Sequence, residues 1–530
     1  MTRSLPVSRL ELTAEPVAAA LAGHAPQLSA GFAAALPQAA QVVGRRLRGA
    51  LVRERLTGPG TGGTRHAFGR VEYARAGADD PAELIPAHLP GAAGLAAEVR
   101  NAVVNLAVAL ARRQRPDLSA GDADTQAVAA ERLAVSGHNL HPCGRTRLGW
   151  DTTDVLAHDL EAGHTRVGFV AVRDDAHLGD DVGALLREQY PQLPAAPPGF
   201  RLQPVHAWQR DAVLRQRYPG LLADGALRLL DAELPAVPTA ALRTLLLPPG
   251  ADGRRRYLKV SLDIQVTSTR RSISVASTRN GPAVSALLHR LVAAGPHAGR
   301  LLLMAETAGA AVPAGSGRDV SAIVRDGLAG RLAPGERAVP GGALPLLAPA
   351  LVDEFAGGAP AWLRAYAELL LPPLLRLTAQ GVALEAHLQN CLPTFVAGAP
   401  HRLAVRDFAG LRLHPGRLAA AGHGVPLWPG SVVATGEPGV LRAKLGYTLF
   451  QAHLGELVIA LGASHALAED HAWRIVRSVL DHARDTGDLT GEDHAAFTAP
   501  VMAHKALVRM RLAGAGDAYL PVDNPLHERA

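Results

Sequence analysis

The most chemically varied stretch of the sequence is residues 381–390, where an apolar run leads directly into a carboxylate, an imidazole and two amides. Glu385, His387 and Gln389 alternate with apolar residues, so on an extended strand the three side chains face the same way. Such a face either converges on a ligand or metal, or is the solvated end of a strand. The spacing differs from HExxH, so it does not support a zinc-protease interpretation.

Asp407 follows this cluster after about the length of one strand and one loop. The adjacent Arg406 offers it a structural ion pair, which is the more frequent role of such neighbours. The alternative is a carboxylate that binds a divalent cation. Together with Glu385 and Asn390, Asp407 would supply the hard oxygen ligands that Mg²⁺ accepts while it stays bound to phosphate oxygens.

A second group of candidates combines cations with hydroxyl groups. It comprises Arg243, Thr244, Lys259, Thr267 and Arg271. Residues 257–267 alternate apolar and polar side chains with period two, which predicts a half-buried strand with Lys259 and Thr267 on one face. Several cations on neighbouring strands repel one another unless an anion lies between them, so the pattern indicates a polyanionic ligand. A solvated strand face is the alternative.

The polar loop at residues 138–149 carries two histidines and two arginines among turn residues. His138 and His141 are three positions apart, but no further ligand stands at a spacing that completes a zinc site. Contact with an anion, or general acid or base assistance, fits these residues better. A purely structural loop is the default interpretation.

The composition is that of a folded protein of enzyme size. A chain of 530 residues allows two to four domains, and 48% hydrophobic with 19% charged residues are ordinary values. Cys143 and Cys391 are the only cysteines and form no CxxC pair, so neither a disulfide framework nor a structural zinc site is predicted. We therefore expect a cytoplasmic protein.

Neither the membrane nor nucleic acid is an expected partner. The N-terminal sequence shows no export signal, and the apolar run at residues 457–463 is too short to span a bilayer. The net charge of +6 is spread over a long chain with acidic residues interleaved, which is a general attraction to anions and not a basic stripe. Strong, salt-sensitive binding to duplex DNA would reverse the second expectation.

The hydrophobic pattern divides the chain into three regions. They are a helical region at residues 1–190, a mixed region rich in short β-runs at 191–344, and a helical and mixed region at 345–530. Residues 94–113 carry apolar side chains at helical spacing. Further helices are predicted at residues 362–371 and 444–461, and short strands near residues 382–384 and 403–407.

The order and wording of these motifs resemble the IucA/IucC-like siderophore synthetases, which work independently of peptide-synthetase templates. The resemblance runs from about residue 137 to residue 512 and rests on an ordered set in which each motif alone is weak. The set is GHNLHPCGRTRLGW, HAWQ, ALRT, YLKVSLDIQVTSTRRS, NGP, AIVR, EAHLQN, RDFAG and KALVRMRL.

The resemblance implies an α+β fold in several domains, shaped as a cupped hand of thumb, fingers and palm with mostly antiparallel sheets. By the same resemblance, ATP and a carboxylic acid bind between fingers and palm. The implied ATP-binding residues are Arg243, Thr244, Lys259, Thr267, Arg271, His387, Gln389, Asn390 and Asp407. Lys259, Arg271 and His387 are the implied catalytic residues, His138 joins Arg271 and His387 at the acid, and Glu385, Asn390 and Asp407 are the implied metal ligands.

The implied reaction uses ATP and Mg²⁺ to adenylate a carboxylate of citrate or a related acid, which is then joined to an amine or hydroxyl with release of AMP and pyrophosphate. A homodimer is the implied assembly. One departure is Ala241, where the family usually has Ser. The alternatives are the same chemistry on a succinyl-hydroxamate chain end, in oligomerisation or ring closure, and a relative that binds nucleotide or acid without turnover.

Overall fold

The computed structural model of the chain describes residues 8–267, 269–514 and 516–527. The first region is helical, and α1 begins at a capping box in which Ser8 Oγ accepts the Glu11 N–H and Glu11 Oε2 accepts the Ser8 N–H. Its elements are α1 (Arg9–His24), α2 (Ser29–Arg53), β1 (Gly63–Arg65), β2 (Val71–Tyr73), α3 (Ala92–Ala111), α4 (Ala123–Glu131) and α5 (Thr152–His158).

Helix α3 is the centre of this region and matches the helix predicted at residues 94–113. It is long and apolar enough to cross a membrane, yet 61% of its most apolar window is buried inside the fold. Val99, Val103 and Leu106 are buried in a cluster shared with α2, so this apolar helix is a core helix.

The middle region is built on one eight-stranded sheet, whose strand pairs are all antiparallel. Its elements are β3 (Thr165–Arg173), β4 (Leu178–Gly179), α6 (Val182–Gln189), β5 (Phe200–His206), α7 (Arg215–Arg217), α8 (Pro219–Ala223), β6 (Leu227–Pro238), β7 (Thr244–Leu246), β8 (Arg256–Val260), β9 (Gln265–Val266), β10 (Thr269–Arg270), α9 (Val275–Ala293), β11 (Leu301–Leu303), β12 (Glu306–Ala311) and β13 (Ser321–Asp326). The strand order is β4, β12, β13, β8, β7, β6, β3, β5. Because β3 lies inside this sheet, the helical region ends before Thr165 and not at residue 190.

The strand predicted over residues 257–267 is shorter than expected. Strand β8 ends at Val260, and the chain then leaves the sheet: the Leu262 N–H donates to Arg271 O, and the Gln265 N–H donates to Leu148 O. Thr267 has a φ of +57°, which no regular strand contains. Strand β8 is also buried on both faces, so Lys259 does not lie on a solvated face.

The last region combines helices with a four-stranded sheet in the order β11, β17, β16, β14. Its elements are β14 (Arg337–Ala338), α10 (Leu344–Glu354), α11 (Gly358–Ala379), β15 (Val382–Ala383), β16 (Cys391–Val396), β17 (Ala399–Val405), β18 (Arg412–Leu413), α12 (Pro415–Ala420), α13 (Pro438–Leu445), α14 (Gly455–His465), α15 (Glu469–Asp485), α16 (Gly491–Phe497), β19 (Val501–Lys505), α17 (Leu507–Ala513) and β20 (Tyr519–Asp523). A π-helical stretch, Gly446–Leu454, joins α13 to α14.

The predicted fold class is confirmed: helices and mostly antiparallel sheets share the chain, with helical regions towards both ends. Helix α11 lies in the largest hydrophobic core, where Trp362 and Tyr366 stack on Phe395 of the four-stranded sheet. Only the pair of β11 and β17 in that sheet is parallel. The two sheets meet near the end of β17, and this junction positions the candidate site.

Candidate active site

An ion pair between Lys259 and Asp407 joins the two sheets. Lys259 lies on β8, and Asp407 comes two residues after the end of β17. Lys259 Nζ donates to Asp407 Oδ1 at 2.7 Å, and the lysine side chain is 1% exposed. Asp407 adopts a φ of +65°, which turns its carboxylate out of the strand direction. This pair brings together two of the predicted site residues from distant parts of the sequence.

Cross-strand register places more polar side chains on the same face of the eight-stranded sheet. Directly paired residues of antiparallel strands point to the same face, and the register pairs Thr244 with Lys259, and Arg325 with Glu306. Arg325 Nη2 lies 3.2 Å from Glu306 Oε1 and 3.6 Å from Asp407 Oδ2. The opposite face is apolar and packs against α6. The sheet therefore separates a hydrophobic core from a buried charged cluster.

Arg325 and Glu306 are site residues that the sequence interpretation missed, although it quoted the AIVR motif that contains Arg325. Both side chains are almost fully buried, at 3% and 0% exposed. A signal was present: Glu306 begins a strand of small residues and Arg325 follows the apolar run Ala322–Val324, and buried charges need partners or a ligand.

The buried charges set the protonation states of the ion pair. Burial by itself would raise the pKa of Asp407, but Lys259, Arg325 and Arg243 outweigh it and hold that pKa far below its usual range. Burial lowers the pKa of Lys259, and Asp407 and Glu306 oppose that shift only in part. Asp407 is therefore ionised at neutral pH.

Two further cations at this site lack a carboxylate partner. Arg243 Nη1 donates to Ser272 O at 2.7 Å, and Arg271 Nη2 donates to Thr267 Oγ1 at 3.3 Å. Within the described residues, neither guanidinium forms an ion pair. Burial, together with repulsion from Arg243 and Arg147, lowers the pKa of Arg271 to about 9. An anion between these guanidiniums would relieve both the repulsion and the lost hydration.

Buried polar atoms without hydrogen-bond partners also indicate an anionic ligand at this face. Thr244 Oγ1, Arg271 Nε and Arg325 Nε are buried and have no hydrogen-bond partner among the described residues. Buried polar atoms without partners are costly and uncommon, so a ligand rich in acceptor oxygens fits this face. The triphosphate of ATP has the required charge and acceptors.

The segment that carries Glu385, His387 and Gln389 is not the continuous strand that was predicted. Strand β15 ends at Ala383, and Leu388–Asn390 form a 3₁₀ turn. Glu385 Oε2 still lies 3.9 Å from His387 Nε2. The Gln389 carbonyl accepts a hydrogen bond from Arg406 Nε at 3.0 Å, so its backbone has a structural role. The turn keeps two of the three side chains together.

Glu385 is held by a lysine that the sequence interpretation did not single out. Lys444 Nζ donates to Glu385 Oε1 at 3.0 Å. Burial by itself would raise the pKa of Glu385, but Lys444 and His387 outweigh it and lower that pKa. Asn390 Nδ2 donates to the Glu385 carbonyl at 3.1 Å, which fixes the turn. Glu385 is therefore an ionised carboxylate beside the histidine.

The loop histidine His138 reaches the same site, because the centroids of the His138 and His387 rings are 6.2 Å apart. Burial lowers the pKa of both rings, and the cost of placing two positive imidazoles together adds to the effect at His138. Both histidines are therefore neutral at pH 7. His138 Nδ1 accepts the Leu140 N–H at 3.1 Å, so its proton resides on Nε2.

The metal ligands predicted from the sequence lie in this region but not as a formed triad. The carboxylates of Glu385 and Asp407 are each engaged by a lysine, and the Asn390 amide oxygen accepts no hydrogen bond from the part of the chain that the structure describes. Among the described residues, no three His, Cys, Asp or Glu side chains are arranged to hold a metal ion. The oxygen donors suit Mg²⁺ by type, and the assignment stays a prediction.

Comparison with known families gives two matches to family models. Residues 126–345 match the model of the IucA / IucC family, and residues 360–520 match a model described as ferric iron reductase FhuF-like transporter. The match to residues 126–345 shows that this part of the chain is similar to the IucA/IucC family. The family predicted from the ordered motifs is therefore confirmed.

Several curated relatives are similar over most of the chain. A D-ornithine–citrate ligase of Staphylococcus aureus is 24% identical over 75% of this chain and 70% of its own length. Staphyloferrin A synthase of the same organism is 25% identical over 75% of this chain and 72% of its own length. Protein y4xN of Sinorhizobium fredii, which is named as uncharacterized, is 26% identical over 67% of this chain and 63% of its own length.

Solved structures share the fold. The petrobactin biosynthesis protein AsbB of Bacillus anthracis superimposes with a TM-score of 0.80 at 18% identity, over 98% of both chains. ATP-bound aerobactin synthetase IucA of Klebsiella pneumoniae superimposes with a TM-score of 0.72 at 20% identity, over 92% of this chain and all of the other. At these identities the likeness establishes the fold alone.

Proposed function

We propose that this protein is an ATP-dependent siderophore synthetase that adenylates a carboxylate of citrate or a related acid and condenses it with an amine or hydroxyl. The observation that carries the proposal is the excess of buried cations around Asp407, in which Arg243 and Arg271 form no ion pair with any carboxylate of the described residues. Such a site suits two anions that must meet, a substrate carboxylate and the α-phosphate of ATP.

Lys259, Arg271 and His387 are the residues that we assign to catalysis. A carboxylate that attacks the α-phosphorus approaches another anion, so cations must first reduce their repulsion. In this proposal Lys259 and Arg271 supply positive charge from the middle region, and His387, from the last region, serves as a neutral hydrogen-bonding group. The planar fork of Arg271 suits the simultaneous binding of carboxylate and phosphate oxygens.

The remaining predicted residues receive binding roles in this proposal. Thr244 and Thr267 would offer hydroxyl groups to phosphate oxygens, and Gln389 and Asn390, on the turn after His387, would bind the nucleotide from the last region. His138 and His387 would contact the acid. ATP is proposed as the nucleotide, and a similar fold binds it in the Klebsiella pneumoniae synthetase.

Mg²⁺ is proposed as the metal, with Glu385, Asn390 and Asp407 as its protein ligands. When bound with the nucleotide, it would neutralise charge on the phosphate oxygens and the pyrophosphate leaving group. Lys259 and Arg325 already neutralise Asp407, so its carboxylate would be shared between these cations and the metal. The protein contributes the fixed positions of the three oxygen donors.

The names of the relatives favour an acid of the citrate type and an amine as the nucleophile. They include D-ornithine–citrate ligase, L-2,3-diaminopropanoate–citrate ligase and a citryl-spermidine:spermidine ligase. The alternative reaction on a succinyl-hydroxamate chain end is not favoured by these relatives. Further parts of the proposal are the thumb, fingers and palm roles of the three regions, with the fingers beginning near Thr165, a homodimeric assembly and a cytoplasmic location.

Product analysis tests the proposed reaction. The protein is incubated with ATP, Mg²⁺ and citrate or related acids, and hydroxylamine traps the activated acid as a hydroxamate. We expect AMP and pyrophosphate in amounts equal to the hydroxamate. ADP and phosphate as products would replace the adenylate with an acyl phosphate, and binding of ATP without any turnover would indicate a non-catalytic relative.

A further inference from the structure

A cavity of about 490 Å³ lies beside the candidate active site, between the first helical region and the last region. Gly137, Asn139 and Leu140 line it, and they flank His138 in the same loop. Leu388, which follows His387, lines it as well. The cavity therefore adjoins the loop that carries His138 and the turn that follows His387, where a second substrate could reach an activated acid.

The cavity wall carries more positively charged than negatively charged side chains. Five arginines and three glutamates line it: Arg45, Arg46, Arg53, Arg70, Arg113, Glu54, Glu72 and Glu456. Glu72 and Glu456 share the guanidinium of Arg70, and Glu54 accepts the N–H groups of Val508 and Arg509 at the start of α17. The carboxylates are therefore already occupied within the protein.

Two of these arginines, Arg46 and Arg53, form hydrogen bonds to neutral oxygens of the protein. Arg46 donates to the carbonyl and hydroxyl oxygens of Ser136 at 2.6 and 2.7 Å, and Arg53 Nε donates to the Phe68 carbonyl at 3.1 Å. Neither has an ion-pair partner among the described carboxylates. Burial lowers the pKa of both guanidiniums to about 10, so they lie in a poorly hydrated place. They occupy positions i and i+7 of α2, on one face of the helix.

We infer that this cavity binds the nucleophilic co-substrate, and that this co-substrate is an amine that bears its own carboxylate, held by Arg46 and Arg53. A buried guanidinium without a carboxylate partner is the group that best binds such an anion. A polyamine without a carboxylate would meet a net positive wall. The inference rests on the proposed ligase function and adds to it the class of the nucleophile.

The chemical step is a simple substitution. The free amine nitrogen attacks the acyl carbon of the adenylate, and the new C–N bond forms as the C–O bond to AMP breaks. AMP leaves with the electron pair of that bond, and the nitrogen loses one proton to solvent. The carboxylate of the amine takes no part in the reaction, so its contribution is to binding alone.

Matched pairs of amines test the inference, because decarboxylation changes only the group of interest. We compare ornithine with putrescine, and 2,3-diaminopropanoate with ethylenediamine, as acceptors of activated citrate. We expect each amino acid to have a KM at least about tenfold lower than its decarboxylated partner, the effect of one charge-assisted contact. Equal use of the diamines, or a preference for them, overturns the inference.

Variants of the cavity arginines test whether the preference for the amino acid arises in this cavity. Arg46→Gln and Arg53→Gln should each reduce the preference for the amino acid, whereas Arg115→Gln, which removes an exposed charge from the loop after α3, should retain it. An unchanged preference in both cavity variants overturns the assignment to this cavity. If a variant fails to fold, the comparison of matched pairs in the unmodified protein still decides the class of nucleophile.

Binding measured without ATP separates this inference from the proposed reaction. Calorimetric titration of the protein and of its Arg46→Gln and Arg53→Gln variants with ornithine and putrescine reports on amine binding in the absence of any reaction. Preferential binding of ornithine without any hydroxamate formation would support the cavity assignment and reject the ligase. Hydroxamate formation without discrimination between ornithine and putrescine would support the ligase and reject the cavity assignment.

Discussion

Arg406 and Asp407 are adjacent in the chain, but their side chains belong to different ion pairs. Arg406 pairs with Glu131 of α4, and Asp407 pairs with Lys259 of β8. The positive φ of Asp407 turns its side chain away from the direction that the Arg406 side chain takes. The structural pair between neighbours that the sequence allowed is therefore absent, and the two residues instead tie the last region to two different elements. This arrangement determines what each substitution should do.

Asp407→Asn should abolish adenylation and also destabilise the protein. Removing this carboxylate leaves Lys259 buried with Glu306 as its nearest carboxylate, at 3.9 Å. Breaking one half of a buried pair costs about 3 kcal/mol in the free energy of unfolding, which denaturant titration measures. Unchanged stability with lost Mg²⁺-dependent turnover would assign Asp407 to the metal alone.

Arg271→Ala and His387→Ala should each lower kcat/KM for adenylation by about 100-fold, the usual loss for one transition-state donor or cation. Arg271→Lys is the sharper test, because it keeps a positive charge but loses the planar fork. Hydroxamate trapping under steady-state conditions gives the values. Full activity of the lysine variant would mean that Arg271 contributes only its positive charge. Full activity of both alanine variants would mean that the active site lies elsewhere.

Glu306→Gln should shift the alkaline limb of the pH profile. Burial lowers the pKa of Lys259, and Asp407 and Glu306 oppose that shift, so neutralising Glu306 lets the lysine lose its proton at lower pH. We expect kcat/KM for adenylation to decline at lower pH than in the unmodified protein, with little change on the acid side. A uniform loss at all pH values would indicate a role in packing, and the thermal midpoint provides the control.

Acid should destabilise the protein in part through His206. This ring is fully buried, its Nδ1 accepts the Trp208 N–H at 3.2 Å, and burial lowers its pKa to about 3. The unfolded chain binds this proton at about pH 6.5, so the contribution to stability is complete above that pH and is lost as the pH falls towards 3. Denaturant titrations at several pH values should show a shallower dependence in His206→Gln. An identical dependence in the variant would mean that His206 does not contribute.

The sequence by itself determined the family and the main residue types of the site. The ordered motifs identified the synthetase family, and helical spacing identified α3 and α11. Glu385 and His387 were correctly expected to lie together, although on a turn and not on a strand. Local periodicity and motif order are properties of the chain, so they are readable before it folds.

Tertiary structure alone decided which charges neutralise one another. Lys259 was expected on a half-solvated face, but β8 is buried on both faces and the lysine meets Asp407, 148 residues away. Strand register brings Arg325 and Glu306 into the site, and helix packing brings Lys444 there. Sequence spacing specifies neither. Desolvation and long-range Coulomb interactions depend on distances across the folded molecule, and these forces set the pKa values and the unpaired cations that suit the site to anions.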